Sequence, residues 1–225
     1  MKEDLKNKII AEANESANFF DTLPTKIHGF SYRKIFEEDG DKFIYFAYDN
    51  FESHRGITAY FHEETQEYKV LMKIGLNEFC LTKFFTENFS DYCKKISDEL
   101  EKTVENISEN NSELNLVARK IKLSAWEYGK NLPQNIGDFE LFISPKNPVK
   151  FTNGSYIIIN YSDFKNNSDF TICYNIYTEN FSAEYTENLV PHVSYLFDAE
   201  NLKDLEKKLH ENLSAELLRI SQNKI

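Results

Sequence analysis

The chain repeats part of itself at an offset of 113 residues, and this repeat restricts its fold more than any other feature. Residues 84–108 align with residues 197–221 without a gap. Nine of these 25 pairs are identical: Phe84/Phe197, Glu87/Glu200, Asn88/Asn201, Asp91/Asp204, Lys94/Lys207, Lys95/Lys208, Leu100/Leu213, Ile107/Ile220 and Ser108/Ser221. Self-similarity at a fixed spacing is typical of a duplicated structural unit. We therefore expect two tandem copies, in residues 1–112 and 113–225.

The aligned segments have the apolar spacing of amphipathic helices. Apolar residues recur every three or four positions from Phe89 to Ile107, and the pattern returns from Leu202 to Ile220. Thr86 and Asp198 precede these segments and are the expected N-caps, because short polar side chains accept hydrogen bonds from the first free backbone amides. A long helix is therefore predicted at the end of each copy.

The region before each long helix combines a leading helix with alternating apolar residues. Leu5 and Ile9 indicate the leading helix of the first copy, and Leu114 and Val117 indicate that of the second. Alternation predicts four strands in each copy. Their approximate bounds are 27–36, 42–49, 56–62 and 67–74 in the first copy, and 136–144, 155–161, 169–177 and 180–186 in the second.

Two dipeptides that favour tight hairpins, Asp39-Gly40 and Asn153-Gly154, precede the second strand of the respective copies. They suggest that successive strands are antiparallel neighbours. The predicted fold class is therefore α+β, a two-layer tandem duplication of a unit made of a helix, a four-stranded antiparallel meander and a second helix.

Charge and composition exclude several classes of protein. The chain has 26 Lys and Arg against 37 Asp and Glu, which gives a net charge of −11. Nucleic acid is an unsuitable partner, because phosphate binding needs clustered basic residues. No apolar run approaches the roughly 20 residues that span a bilayer, so no membrane association is expected. The acidic N-terminus and the three cysteines without a CxxC pair predict a cytoplasmic protein.

The sequence contains no recognisable set of catalytic residues. His62-Glu63-Glu64 begins like a zinc-protease helix motif, but Gln66 stands where a second histidine is required. The seven glycines form no phosphate-binding loop, and no GxSxG motif is present. Catalytic residues, cofactors and metal ions are therefore not predicted, and enzymatic activity is disfavoured.

Two functional hypotheses follow. The first is a non-catalytic protein-binding module of chaperone, adaptor or toxin-neutralising type, whose acidic surface suits a basic protein partner. Such a chain would be a monomer with pseudo-twofold symmetry, since two fused copies resemble a homodimer. The alternative is a small-ligand-binding protein or enzyme with an aromatic cleft between the copies. The residues expected to line that cleft are Tyr45, Tyr60, His62 and Tyr177.

Overall fold

The computed structural model describes residues 3–15, 17–108, 115–152 and 154–222. The chain divides into two compact units, Met1–Asn110 and Asn111–Ile225. Each unit contains one antiparallel sheet, and its last helix packs against that sheet.

The first unit is a meander in which each strand pairs with the next along the chain. Its elements are α1 (Glu3–Glu15), α2 (Ala17–Thr22), β1 (Lys26–Ile27), β2 (Phe30–Asp39), β3 (Lys42–Asn50), β4 (Arg55–His62), β5 (Glu67–Ile74), β6 (Asn77–Cys80), a 3₁₀ turn (Thr82–Phe84) and α3 (Phe89–Ile107). The six strands follow the order β1-β2-β3-β4-β5-β6.

The second unit has the same consecutive order with one additional strand. Its elements are α4 (Asn115–Lys120), a 3₁₀ turn (Leu123–Ala125), α5 (Glu127–Lys130), β7 (Asn135–Ile136), β8 (Phe139–Ile143), β9 (Val149–Thr152), β10 (Ser155–Asp163), β11 (Ser168–Asn175), β12 (Asn180–Glu187), β13 (Val190–Ala199) and α6 (Leu202–Gln222). The order is β13-β12-β11-β10-β8-β7, and β9 also pairs with β10.

The predicted fold class, a two-layer α+β tandem of four-stranded meanders between helices, is wrong. The described residues form sheets of six and seven strands, with few helices beside them. The strand expected at 27–36 is broken by a turn in which His28 and Gly29 have φ values of 47° and 87°. A turn at Gly137, with φ 60°, interrupts the strand expected at 136–144. The turn reverses the chain in each case, so each expected strand becomes two antiparallel neighbours.

The leading helix of the second copy also differs from expectation, because it consists of the short helices α4 and α5 with a 3₁₀ turn between them. In the first copy, α1 and α2 lie on either side of residue 16, which is outside the described residues. Leu114 lies outside the described residues, and so does Asn153 of the second expected hairpin turn. In the first hairpin, Asp39 pairs with Lys42, so Gly40 and Asp41 are the two turn residues.

The long helices begin as expected, but other residues cap them. The side chain of Asn88 accepts a hydrogen bond of 2.9 Å from the amide of Asp91 at the start of α3. Asn201 accepts one of 3.0 Å from the amide of Asp204 at the start of α6. Asparagine is among the strongest N-caps because its side-chain oxygen satisfies an otherwise free amide. The prediction of Thr86 and Asp198 as caps is therefore wrong.

Aromatic rings fill the core between the sheet and helices of the first unit. Phe20 of α2 stacks on Tyr45 of β3 with ring centres 5.5 Å apart. Phe89 of α3 lies 5.9 Å from Tyr45 and 5.3 Å from Tyr68 of β5. Ring pairs at these distances stabilise a core beyond the burial of their area. Aromatic residues of the first unit are thus concentrated where its helices meet the sheet.

Candidate functional site

The second sheet ends on a long edge strand, β13. Its residues Val190–Ser194 pair with Ala183–Glu187 of β12, and Ala199 pairs with Phe181. Between these two stretches, residues 195–198 lie opposite Ser182 alone. Such a bulge bends a strand and redirects its side chains. Within the described part of the chain, β13 has β12 as its only strand neighbour.

Apolar side chains at β13 are exposed. The side chains of Val193 and Tyr195 are 60% and 79% exposed. Of the eight large hydrophobic residues that are exposed in the described chain, five lie in this segment: Leu189, Val190, Val193, Tyr195 and Leu196. We call these five residues the β13 patch. Clustered exposed apolar residues on a soluble protein mark interaction sites, whereas isolated ones are ordinary.

Buried neighbours hold the strand in place beneath the patch. Phe197 is fully buried and lies 5.0 Å from the ring of Phe170 on β11. His192 stacks on Tyr185 of β12 at 4.8 Å, and the guanidinium of Arg219 on α6 lies 5.0 Å from the same Tyr185 ring. The strand is therefore fixed from within, and the patch is presented on a preformed edge.

The edge strands of the first unit are different. β6 has only four residues, and its exposed Glu78 forms an ion pair of 3.5 Å with Lys73 on β5. β2 extends beyond the two-residue β1, but its free part carries charged side chains such as Arg33 and Glu37. Short length and charge are the usual means by which proteins prevent strand addition at an edge. β13 is longer and less charged, and its own protections are Pro191 and the bulge after Ser194, which interrupt the edge only at those points.

A second candidate site is a pocket of about 380 Å³ in the first unit. Its lining residues are Leu5, Ile9, Glu12, Phe61, Glu64, Thr65, Gln66, Tyr68 and Glu87. Tyr68 donates a hydrogen bond of 2.5 Å to Glu12. Burial, followed by the nearby Glu12, raises the pKa of Tyr68, so the phenol keeps its proton. Three carboxylates and no basic side chain among these residues favour a positively charged group.

Two of the residues predicted to bind a ligand are buried in the first unit. Tyr45 lies in the aromatic core beside the helices. Tyr60 of β4 is also buried, and its hydroxyl lies 3.1 Å from Cys80 Sγ. Burial raises the pKa of both phenols, which therefore stay protonated at neutral pH. Each makes contacts typical of structural residues.

The other two predicted residues are less buried, His62 partly and Tyr177 largely exposed. His62, at the end of β4, lies 2.8 Å from Asp41 through Nε2 and 3.0 Å from Thr65 through Nδ1. Its ring centre is 6.3 Å from that of Tyr60, so the structure brings these two together. Tyr177 belongs to the second unit and is exposed in the turn after β11.

Two of the three cysteines are poor nucleophiles. Burial raises the pKa of the Cys93 thiol to about 11, and it also raises that of Cys173. A thiol attacks as the thiolate, so both groups are unreactive at neutral pH. Cys80 contacts the hydroxyl of Tyr60. All three cysteines are free thiols.

Comparison with protein-family models, curated proteins and solved structures gives no match to this chain. Across the described residues, none of the helices combines the length and the apolar character that a membrane crossing requires. The arguments for function therefore come from the surfaces and side chains of the two units themselves.

Sequence reasoning did not identify the β13 patch. Alternation is the signal for a strand, and here Pro191 and the bulge after Ser194 interrupt it. A usable signal was present nonetheless, since the run from Leu189 to Leu196 contains five large apolar residues without belonging to a predicted helix or strand.

Proposed function

We propose that this protein is a non-catalytic protein-binding module that binds an extended segment of a partner along β13. The observation that carries the proposal is the β13 patch, which places exposed apolar side chains on an edge strand with a free side. An extended segment adds to such an edge through backbone hydrogen bonds, and alternate side chains contact the sheet. The proposed module acts in a reducing compartment, the cytoplasm, which agrees with its three free thiols.

The patch supplies the apolar contribution to this binding. Complete burial of a Val or Leu side chain contributes about 1.5–3 kcal/mol. Backbone hydrogen bonds add a smaller net amount, on the order of 1 kcal/mol each, because the free strand already bonds to water. The partner loses conformational freedom when it becomes a strand, which offsets much of this gain. Several patch residues must therefore be covered together for stable binding.

Charge determines which partner segments are suited to bind along β13. The chain has a net charge of −11, and Glu187 and Asp198 lie near the two ends of the β13 edge. Complementary charge increases the rate of encounter and selects between partners. We therefore propose that the partner segment alternates apolar residues with Lys or Arg.

A matched pair of variants tests the proposal. Random peptides displayed on phage are selected against the wild-type chain, and binding of an enriched peptide is then measured by fluorescence anisotropy. Tyr195→Lys should weaken binding at least tenfold, since it puts a charge in the patch. Phe51→Lys makes the same change at a side chain of similar exposure, 72%, in the first unit, and should leave binding unchanged.

Hydrogen exchange provides a second measurement on the same complex. We expect the bound peptide to slow exchange of β13 amides and to leave the turn around Phe51 unaffected. Equal affinity of wild-type and Tyr195→Lys proteins would contradict the proposal, as would enrichment of peptides without alternating apolar residues.

The acidic pocket favours a second candidate function, binding of a small cationic ligand. Its volume lies within the range of small-molecule sites, and its carboxylates would attract an amine or guanidinium group. Calorimetric titration with spermidine and with arginine methyl ester tests this function. Glu12→Gln should reduce the affinity, whereas Glu37→Gln, which removes one charge on β2, serves as the control. Identical binding by both variants would exclude the pocket as the binding site of the cationic ligand.

A further inference from the structure

Asp41, His62 and Glu64 come together at one end of the first sheet. One ligand atom from each, an imidazole nitrogen or a carboxylate oxygen, lies within 4.8 Å of the other two. Asp41 lies in the turn between β2 and β3, and Glu64 lies in the turn between β4 and β5. These residues are separate from the β13 patch, although Glu64 also borders the acidic pocket.

The backbone fixes two of these side chains next to each other. His62 is the strand partner of Lys42, the residue that follows Asp41. The amide of Glu63 also donates a hydrogen bond of 2.8 Å to the carbonyl oxygen of Asp41, which extends the ladder past the end of the strand. A site supported by paired strands holds its geometry better than one on a free loop.

The hydrogen bonds around the imidazole define its orientation. Nδ1 of His62 lies 3.0 Å from the hydroxyl oxygen of Thr65. This hydroxyl can accept a hydrogen bond from Nδ1–H or donate one to Nδ1, and accepting it is the arrangement that leaves the Nε2 lone pair available for a metal ion.

The other imidazole nitrogen, Nε2, lies 2.8 Å from an Asp41 carboxylate oxygen. A hydrogen on Nε2 bridges these two atoms in one neutral tautomer, and a metal ion can take its place when the ring hydrogen is on Nδ1. Metal-binding histidines commonly donate their second N–H to an oxygen, as Nδ1 can here.

We propose that Asp41, His62 and Glu64 bind a divalent transition-metal ion of the Zn²⁺ class, with His62 binding through Nε2. One imidazole and two carboxylates suit Zn²⁺, while Mg²⁺ and Ca²⁺ prefer oxygen ligands alone. Three protein ligands leave the fourth tetrahedral position to water. Ligand bonds of about 2.0–2.2 Å require the His62 and Asp41 atoms to separate slightly and the exposed Glu64 to approach.

The neighbouring charges are compatible with a cation. The ammonium of Lys69 is engaged by Glu67 at 3.0 Å, and that of Lys42 lies 5.3 Å from the ring centre of Tyr60. The carboxylates of Asp41 and Glu64 together with Glu67 outnumber these two ammonium groups. An incoming dication therefore meets a local excess of negative charge.

Zinc titration of the full chain tests the proposal. Metal-stripped protein is titrated with ZnCl₂ in competition with a chromophoric chelator, and we expect one equivalent to bind. His62→Gln and Asp41→Asn should each reduce the affinity at least tenfold. Thr65→Val should reduce it by about 10–100-fold through loss of the supporting hydrogen bond, while Thr65→Ser should retain it. Circular dichroism of each variant checks that the chain is folded.

Two controls identify the residues that bind the metal. His192→Gln alters a histidine of the second unit, and Cys80→Ser removes a thiol that competes for zinc; both should leave the affinity unchanged. Long-range ¹H–¹⁵N NMR spectra should show the metal shift at Nε2 of His62, with the proton remaining on Nδ1. Absence of zinc binding would overturn the proposal. Equal binding by wild-type and His62→Gln proteins, or preference for Ca²⁺ or Mg²⁺, would also overturn it.

Discussion

The hydroxyl group of Tyr48 donates a hydrogen bond of 2.6 Å to the carbonyl oxygen of Pro24. This contact ties β3 to the segment that enters β1. The second unit has the same contact, of 2.7 Å, between Tyr161 of β10 and Pro133. Tyr48 and Tyr161 are aligned at the offset of 113 residues, and both side chains are fully buried. Burial raises the pKa of both phenols, so they remain donors across the ordinary pH range.

We expect Tyr48→Phe and Tyr161→Phe each to lower the free energy of unfolding by about 0.5–1.5 kcal/mol, the usual net value of one hydrogen bond. Urea denaturation followed by circular dichroism measures the change. Tyr177→Phe, at an exposed hydroxyl, is the control and should alter stability little. An unchanged urea midpoint for both buried variants would show that these contacts do not stabilise the fold.

The N-caps provide the second prediction. Asn88→Ala and Asn201→Ala should each destabilise the protein by about 1 kcal/mol, because one helix amide loses its acceptor. Asp198→Ala, at the exposed position predicted from sequence as a cap, should change stability by less than about 0.5 kcal/mol. Thermal unfolding distinguishes these outcomes. A larger effect at Asp198 than at Asn201 would contradict the assignment of the cap.

The reactivity of Cys93 should depend strongly on pH. Its thiol pKa is raised from 9.0 to about 11, so the thiolate fraction at neutral pH is about a hundredfold lower than for an ordinary thiol. Iodoacetamide labelling, located by peptide mass spectrometry, should be slow in the folded chain and increase steadily as the pH rises toward 11. Unfolding in urea should restore the labelling rate of Cys93 to that of an ordinary thiol. Rapid labelling of folded protein at neutral pH would show that the thiol is not protected.

Gly129 of α5 allows a prediction about packing. A Cβ atom at this position would lie 2.3 Å from Cε3 of Trp126. The indole cannot move away freely, because it is buried and its Nε1 donates a hydrogen bond of 2.8 Å to Glu206 on α6. Gly129→Ala should therefore destabilise the second unit by about 1–3 kcal/mol.

Trp126 is the single tryptophan of the chain, so its fluorescence during urea unfolding reports on this site directly. Glu127→Ala, at an exposed residue of the same helix, is the control and should have an effect within about 0.5 kcal/mol. Equal stability of both variants would mean that the helix moves to accommodate the additional carbon.

The sequence predicts local elements well where apolar spacing is regular. The stripe from Phe89 to Ile107 matches the bounds of α3, and the strand expected at 67–74 coincides with β5. Prediction from apolar spacing fails where the backbone departs from a regular repeat, as it does at the turn through His28 and Gly29. Two of the additional strands arise in this way, while β6, β9 and β13 lie where no strand is predicted, and the fold class is wrong as a result.

The candidate metal ligands were missed for another reason. Motif reasoning rejected His62 because Gln66 is not histidine, which is valid for ligands on one helix. Asp41 lies 21 residues earlier in the chain, and only the pairing of Lys42 with His62 brings the two together. The register between strands depends on bulges, such as the one between Ile44 and Phe46, and these cannot be read from composition or spacing.

The contrast between the short, charged β6 and the long, apolar β13 has a consequence for the cell. A free β13 edge is a template for any extended chain, including another copy of the same protein. Under the proposed function, self-association and partner binding compete for one edge, and their balance depends on concentration. Each bound partner segment would then remove one site at which aggregation can begin.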